Sequence, residues 1–167
     1  MRWVLVAVVV MLLVGLIGRI RIFTHPLEGA DAPDFYLPRL QGKPFSLSQE
    51  TAQVIVLDFW ASWCPPCITS LPQLEQVHQW AREHNKSVVI YCVNQGDEPC
   101  QISELWQSKG LTMPVLLDMT GNASAAYQVS AIPQTVIISN HKIIRVHVGT
   151  VRRSTLQREI EEVLADH

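Results

Sequence analysis

Between Gln53 and Ser87 the chain changes its hydrophobic period. Val54 to Phe59, VIVLDF, is a nearly unbroken β-branched apolar run and reads as a strand buried on both faces. Leu71, Leu74, Val77 and Ala81 then recur at helical spacing, which predicts a helix running to about Asn85. Ser87 to Asn94, SVVIYCVN, is a second buried strand. Strand, helix, strand implies a parallel pair with a right-handed crossover.

Further along, Pro99 suits a first helical turn, Ile102, Leu105 and Trp106 share one apolar face, and Gly110 suits the stop. MPVLLDMTGN reads as a short extended piece closed by a turn, and ASAAYQV as a brief helix. PQTVIIS and KIIRVHV read as strands joined at Ser139-Asn140-His141. The second alternates Ile144, Val146 and Val148 against Ile143, Arg145 and His147, which predicts one solvated face. Ser154 with Gln157 forms a capping box for a last helix that buries Leu156, Ile160, Val163 and Leu164. Upstream, APDFYLPRLQGKPFSLS folds into a hairpin around Gly42-Lys43. The order predicts an α/β fold, a central mixed sheet flanked by helices, with an N-terminal β-hairpin and a central helical insertion.

Before the hairpin stands an uncharged apolar run from Trp3 to Gly18, bounded by Arg2 and Arg19. It falls a little short of the roughly 18–20 residues that span a bilayer. Ile20, Ile22 and Phe23 lengthen it if Arg19 and Arg21 snorkel. We read residues 1–23 as a transmembrane anchor, 24–32 as a polar linker and 33–167 as the domain. A cleaved signal peptide and a core helix are the alternatives, although no small-x-small cleavage site follows the run. Arginines on both sides leave orientation open by charge. Most of the chain follows a single apolar run, which places the domain outside.

The 167 residues are enough for one domain with a full core. With 13 basic and 15 acidic residues and no long run of either sign, nothing points to nucleic acid. The four cysteines alter the picture more. Cys64 and Cys67 sit in FWASWCPPC, where the first strand hands over to the helix. A structural staple, a metal clip and a pair of working thiols are the three readings. One helical turn staples nothing distant. Two thiolates suit Cu(I), yet there is no second CxxC, and His78, His84, His141 and His147 show no ligand spacing. A thiol at a helix start faces unpaired N–H groups and the positive dipole end, which favour its thiolate. Working thiols with no metal or other cofactor are therefore expected, and a copper chaperone is kept as the alternative.

DFWASWCPPC at this junction, the downstream AIPQT, and Gly149 beyond KIIRVHV resemble the thioredoxin superfamily over nearly all of the chain past the linker. The insertion from about Gln95 to Pro114, the leading hairpin and the anchor are similar to the membrane-anchored TlpA/ResA/CcmG branch. Members of that branch reduce disulfides outside the cytoplasmic membrane, several of them in cytochrome c maturation. Two positions depart from it. Ser70 stands where the branch usually has glutamate, and Asp58 replaces its frequent asparagine, matching the buried acid of ordinary thioredoxins.

The resemblance implies a thioredoxin fold and a redox-active Cys64–Cys67 disulfide. Cys64, at the helix start, is expected to be accessible and to attack; Cys67, one turn inward, is expected to be buried and to resolve. Asp58, a carboxyl in apolar surroundings, is expected to take the proton of Cys67. Pro65 and Pro66 fix the start of the helix and stiffen the loop between the sulfurs. By resemblance Ile132-Pro133 is cis, borders the dithiol and pairs with extended substrate, while Trp63 forms the rim and Trp60 packs. Cys92 and Cys100 leave a second disulfide open. The implied partners are protein thiols and disulfides, with a membrane thiol-transporting reductase as electron donor. The implied location is a single-pass attachment to the inner membrane with the domain in the periplasm. Reduction is the implied direction, with an oxidase or isomerase as the alternative.

Overall fold

The computed structural model describes residues 25–166. The apolar run read as an anchor lies outside the described residues, among which no helix is long and apolar enough to cross a membrane. The strands are β1 (Tyr36–Leu37), β2 (Phe45–Ser46), β3 (Val54–Trp60), β4 (Val88–Asn94), β5 (Val115–Leu117), β6 (Gln134–Ser139) and β7 (Lys142–Val148). The helices are α1 (Pro65–Glu83), α2 (Pro99–Lys109), α3 (Asn122–Ala126) and α4 (Arg153–Ala165).

The main sheet runs β5-β4-β3-β6-β7. β3 lies at its centre, parallel to β4 and antiparallel to β6. All seven β3 residues are buried, which explains an apolar run without alternation. Val54, Val56 and Trp60 pack with Leu71, Leu74 and Val77 of α1 and with residues of α2 and α4. Ile55, Leu57 and Phe59 pack with Leu37, Phe45, Leu47 and Tyr127. The three longer helices thus share one face, while the hairpin and α3 close the other.

The stretch expected as a free linker is part of the fold from His25 onward. Gly29 N–H donates to the Ile143 carbonyl (2.7 Å), Ile143 N–H to Ala30 (2.9 Å) and Ala32 N–H to His141 (2.7 Å). Across the sheet, Leu117 N–H donates to the Pro38 carbonyl and Leu40 N–H to Val115, each at 2.9 Å. The N-terminal segment therefore straps one face and pairs with both edge strands, removing sites for edge-to-edge association. These bonds are main-chain bonds to distant strands, so a polar local composition does not reveal them.

Two local expectations change. β7 does not keep its alternation: Ile137 pairs with Arg145 and Ile138 with Ile143, so Ile144 is an extra residue in a bulge. A bulge resets parity, so Ile143 and Val146 bury on one face; Val148, the last residue of the strand, is exposed. The last helix starts earlier than its capping box. Arg152 is the N-cap without a side-chain cap bond, and Gln73 of α1 accepts the Arg153 N–H at 3.3 Å. The turn at Asn140-His141 is as expected, with φ of 49° and 59°, and Gly110 ends α2 at φ 62°.

Glu28 couples the strap to the sheet, since its Oε1 accepts the buried Val146 N–H at 3.0 Å. Glu28→Ala should cost about 1–3 kcal/mol by leaving that donor without its acceptor, while Glu28→Gln should retain most of the stability. Urea unfolding checks this; an unchanged midpoint for Glu28→Ala would contradict it.

Candidate active site

The C-terminal ends of β3 and β4 and the start of β6 meet at one edge of the sheet. There Cys64 is the N-cap of α1, and its sulfur is bonded to that of Cys67 (S–S 2.01 Å, Cα–Cα 5.3 Å). Pro65 and Pro66 occupy the first two helical positions and carry no N–H. The first donor the helix offers is therefore Cys67 N–H, and it points at Cys64 Sγ at 3.2 Å. That donor and the helix dipole favour negative charge on this sulfur once the disulfide opens.

Cys67 is fully buried, as expected, but Cys64 is only 4% exposed in this disulfide form, against the expectation of an open thiol. The Ile132 carbonyl oxygen covers it at 3.7 Å from Sγ, a contact rather than a hydrogen bond because a disulfide sulfur has no proton. Ile132-Pro133 is cis, and the Pro133 carbonyl is held by Gly149 N–H at 2.8 Å. Gly149 has φ 92°, a conformation that favours glycine. Trp63 is 67% exposed, and Pro65 and Pro66 are also exposed. A shallow cleft of about 320 Å³ runs from Trp63 and Gln95 to Val129–Ile132.

Asp58 lies in β3 and is 1% exposed. Thr135 Oγ1 donates to its Oδ1 at 2.9 Å, and Oδ2 has no partner among the described residues. Burial raises its pKa to about 7, with the Thr135 bond opposing. Cys92 faces it across the β3–β4 register, and burial, then the Asp58 and Glu75 carboxylates, push that thiol up. Cys92 Sγ touches Met113 Sδ at 3.8 Å. Cys92 and the exposed Cys100 are both free, so the second disulfide is not formed.

Several site groups were not singled out from the sequence. Asp97 accepts from Ser62 N–H (2.6 Å), Ser62 Oγ (2.7 Å) and Asn94 Nδ2 (2.6 Å), tying the dithiol loop to the end of β4. The only local signal is the turn-forming NQGDE. Thr135 lies two residues beyond Pro133, inside a run that reads only as strand. Ser70, noted from the sequence as a departure from the usual glutamate, donates its Oγ hydrogen to the Cys67 carbonyl at 2.8 Å. Trp60 packs, as expected, its ring centroid 4.9 Å from that of Trp106. Among the described residues no group of three or more His, Cys, Asp and Glu is placed to hold a metal ion.

The raised pKa of Asp58 links stability to pH. Its unfolded value is about 3.9 and its folded value about 7, so the native state binds the proton more tightly. Stability from this group is fully present below about pH 4 and is lost as pH rises through about 7. Asp58→Asn should therefore exceed the parent disulfide form in stability at pH 8, by a margin on the order of 4 kcal/mol. The two should converge near pH 4. Denaturant unfolding across pH measures both, and equal stabilities at pH 8 would remove the raised pKa.

Comparison with known proteins agrees with this geometry. The chain is 33% identical over 130 residues to the thiol-disulfide oxidoreductase ResA of Bacillus subtilis, covering 77% of this chain and 72% of that protein. It is 30% identical over 135 residues to the thioredoxin-like protein YneN of the same organism, covering 80% and 79%. The fold matches the crystal structure of StoA from Bacillus subtilis with a TM-score of 0.65 at 26% identity, covering 77% of this chain and 97% of that one. The Redoxin signature spans residues 27–164, and the chain belongs to the Redoxin family.

Proposed function

We propose that the protein is an extracytoplasmic thiol-disulfide oxidoreductase that reduces protein disulfides by dithiol exchange. The observation that carries this is the Cys64–Cys67 disulfide at the start of α1, which follows the strand that carries a buried carboxyl whose pKa lies near 7. In the reduced protein Cys64 attacks the substrate disulfide as the thiolate, stabilised by the Cys67 N–H and the helix dipole. Cys67 then attacks Cys64 Sγ in the mixed disulfide. Its thiol proton passes to Asp58, and the substrate leaves as a thiolate that takes up a proton. Trp63, Pro65 and Pro66 form the exposed rim. Ile132, held in place by the cis bond to Pro133, presents its main chain to an extended substrate beside the cleft. In the oxidised form Ile132 covers Cys64, so attack by an electron donor on that sulfur includes displacing the carbonyl.

The reading includes a membrane anchor in residues 1–23, a domain on the periplasmic side of the inner membrane, and a membrane thiol-transporting reductase as electron donor. The apolar run and the family resemblance support it. Because the fold begins by Leu27, such an anchor would hold the dithiol domain close to the bilayer and confine its encounters. Fractionation tests this part: the intact chain should sediment with membranes. A soluble form cut near Thr24 to Ala30 would show a signal peptide instead.

The chemistry has its own test. Cys67→Ser should accumulate mixed disulfides through Cys64, because attack survives and resolution does not. The captured proteins identify the substrates, apocytochromes c included. Equal capture by Cys64→Ser would reverse the assignment. Asp58→Asn should slow resolution by about 10²-fold or more while changing attack less. Stopped-flow rates unchanged in both steps would reduce Asp58 to a structural acid. Metal retained stoichiometrically, with no disulfide reduction, would favour the copper chaperone.

A further inference from the structure

Asp58 is 1% exposed, and any proton that it exchanges with solvent, rather than returning to Cys67 when the disulfide is reduced again, needs a path through the protein. Its hydrogen bond to Thr135 leads across the sheet to β6. The register continues in that direction. Asp58 pairs with Thr135 across β3–β6, and Thr135 pairs with His147 across β6–β7. Directly opposed residues share a face, with Cβ atoms about 4.5–5.5 Å apart, so the Thr135 and His147 side chains leave the sheet side by side. The β7 bulge lies further back, at Ile144, and leaves this pairing regular. His147 Nε2 then meets Glu159 Oε2 of α4 at 2.7 Å, and these side chains are 27% and 11% exposed. One row of polar groups thus crosses the sheet from the sealed carboxyl to the surface.

We propose that Asp58, Thr135, His147 and Glu159 form the proton path between the buried site and solvent, with His147 as the group that exchanges protons with water. The proposal rests on Asp58 accepting the Cys67 proton. The transfer is redox-neutral. The Cys67 S–H bond breaks and an Asp58 O–H bond forms. Asp58 then donates to Thr135 Oγ while the Thr135 hydroxyl proton moves, directly or through one water, to the unprotonated nitrogen of His147. His147 releases a proton from its other nitrogen to Glu159 or water, so the net change is one proton moved to solvent. The groups facing Asp58 from the neighbouring strands are Thr135 of β6 and Cys92 of β4, and α1, whose first turn carries Cys67, packs over this face of β3. Those facing His147 are Thr135 from β6 and Glu159 from α4, and Arg158 approaches Glu159 Oε1 at 3.7 Å. Thr135 thus stands between Asp58 and His147 in this row.

The experiment prepares the mixed disulfide between Cys64 and a peptide thiol in the full chain at low pH, where Asp58 is protonated, and follows its decay after a jump to higher pH, with and without added imidazole, so that Asp58 has to lose its proton before it can accept that of Cys67. His147→Ala should slow resolution by about tenfold or more without slowing attack by Cys64, and imidazole should restore the rate in proportion to its concentration. Thr135→Val, which keeps shape and loses the hydroxyl, should slow resolution and should not respond to imidazole. A His147→Ala protein that resolves at the parent rate, or one that is slow but not rescued, would overturn the path. Glu159→Gln gives an independent arm if His147→Ala folds poorly: it should lower the rate at fixed pH, and an unchanged rate counts against the path. Failure of the underlying reading is distinguishable, because then Asp58→Asn itself leaves resolution unaltered.

Discussion

The structure turns on a carboxyl group placed in the middle strand of a sheet covered on both faces. Asp58 has only one hydrogen-bond partner, and one of its oxygens has none among the described residues. Burying such a group is unfavourable in its charged form, and the pKa near 7 is the direct result. That value also suits a base that must alternate between protonated and ionised states near neutral pH. The local instability and the proposed catalytic competence therefore have the same cause.

The surroundings keep the carboxyl sealed while leaving the dithiol at an edge. The N-terminal strap pairs with β5 and β7 and closes one face of the sheet, while α1, α2 and α4 cover the other, the face that Asp58 shares with Val54, Val56 and Trp60. At the open edge, Asp97 holds Ser62, Gly149 holds Pro133, and the two prolines leave Cys67 N–H as the first donor for Cys64. Each contact fixes one segment around the sulfurs, so the exchange geometry is built before substrate arrives. What remains movable is the Ile132 carbonyl over Cys64.

Legibility in the sequence followed the range of the causes. β3 and α1 were readable because their signals are local: an unbroken apolar run, then a helical period behind two prolines. Pro99 and Gly110 marked the ends of α2 for the same reason. The Cys64–Cys67 pair was readable from motif and spacing, and the cis Ile132-Pro133 bond from the family resemblance of AIPQT. The strap was not, because Gly29, Ala30 and Ala32 are held by bonds to residues more than a hundred positions away. The bulge at Ile144 was hidden because alternation in sequence is read as alternation in space. The early start of α4 was hidden because Gln73, on another helix, accepts the Arg153 N–H. Asp97 and Thr135 acquire their roles only through register and loop contact, which composition does not encode.

The account depends most directly on the protonation of Asp58. Carbon-13 labelling of the aspartate side chains allows its carboxyl resonance to be titrated in the oxidised protein, with Asp58→Asn assigning the signal. The account predicts a midpoint near 7, well separated from those of the surface aspartates. A midpoint near 4, typical of an exposed carboxyl, would contradict it.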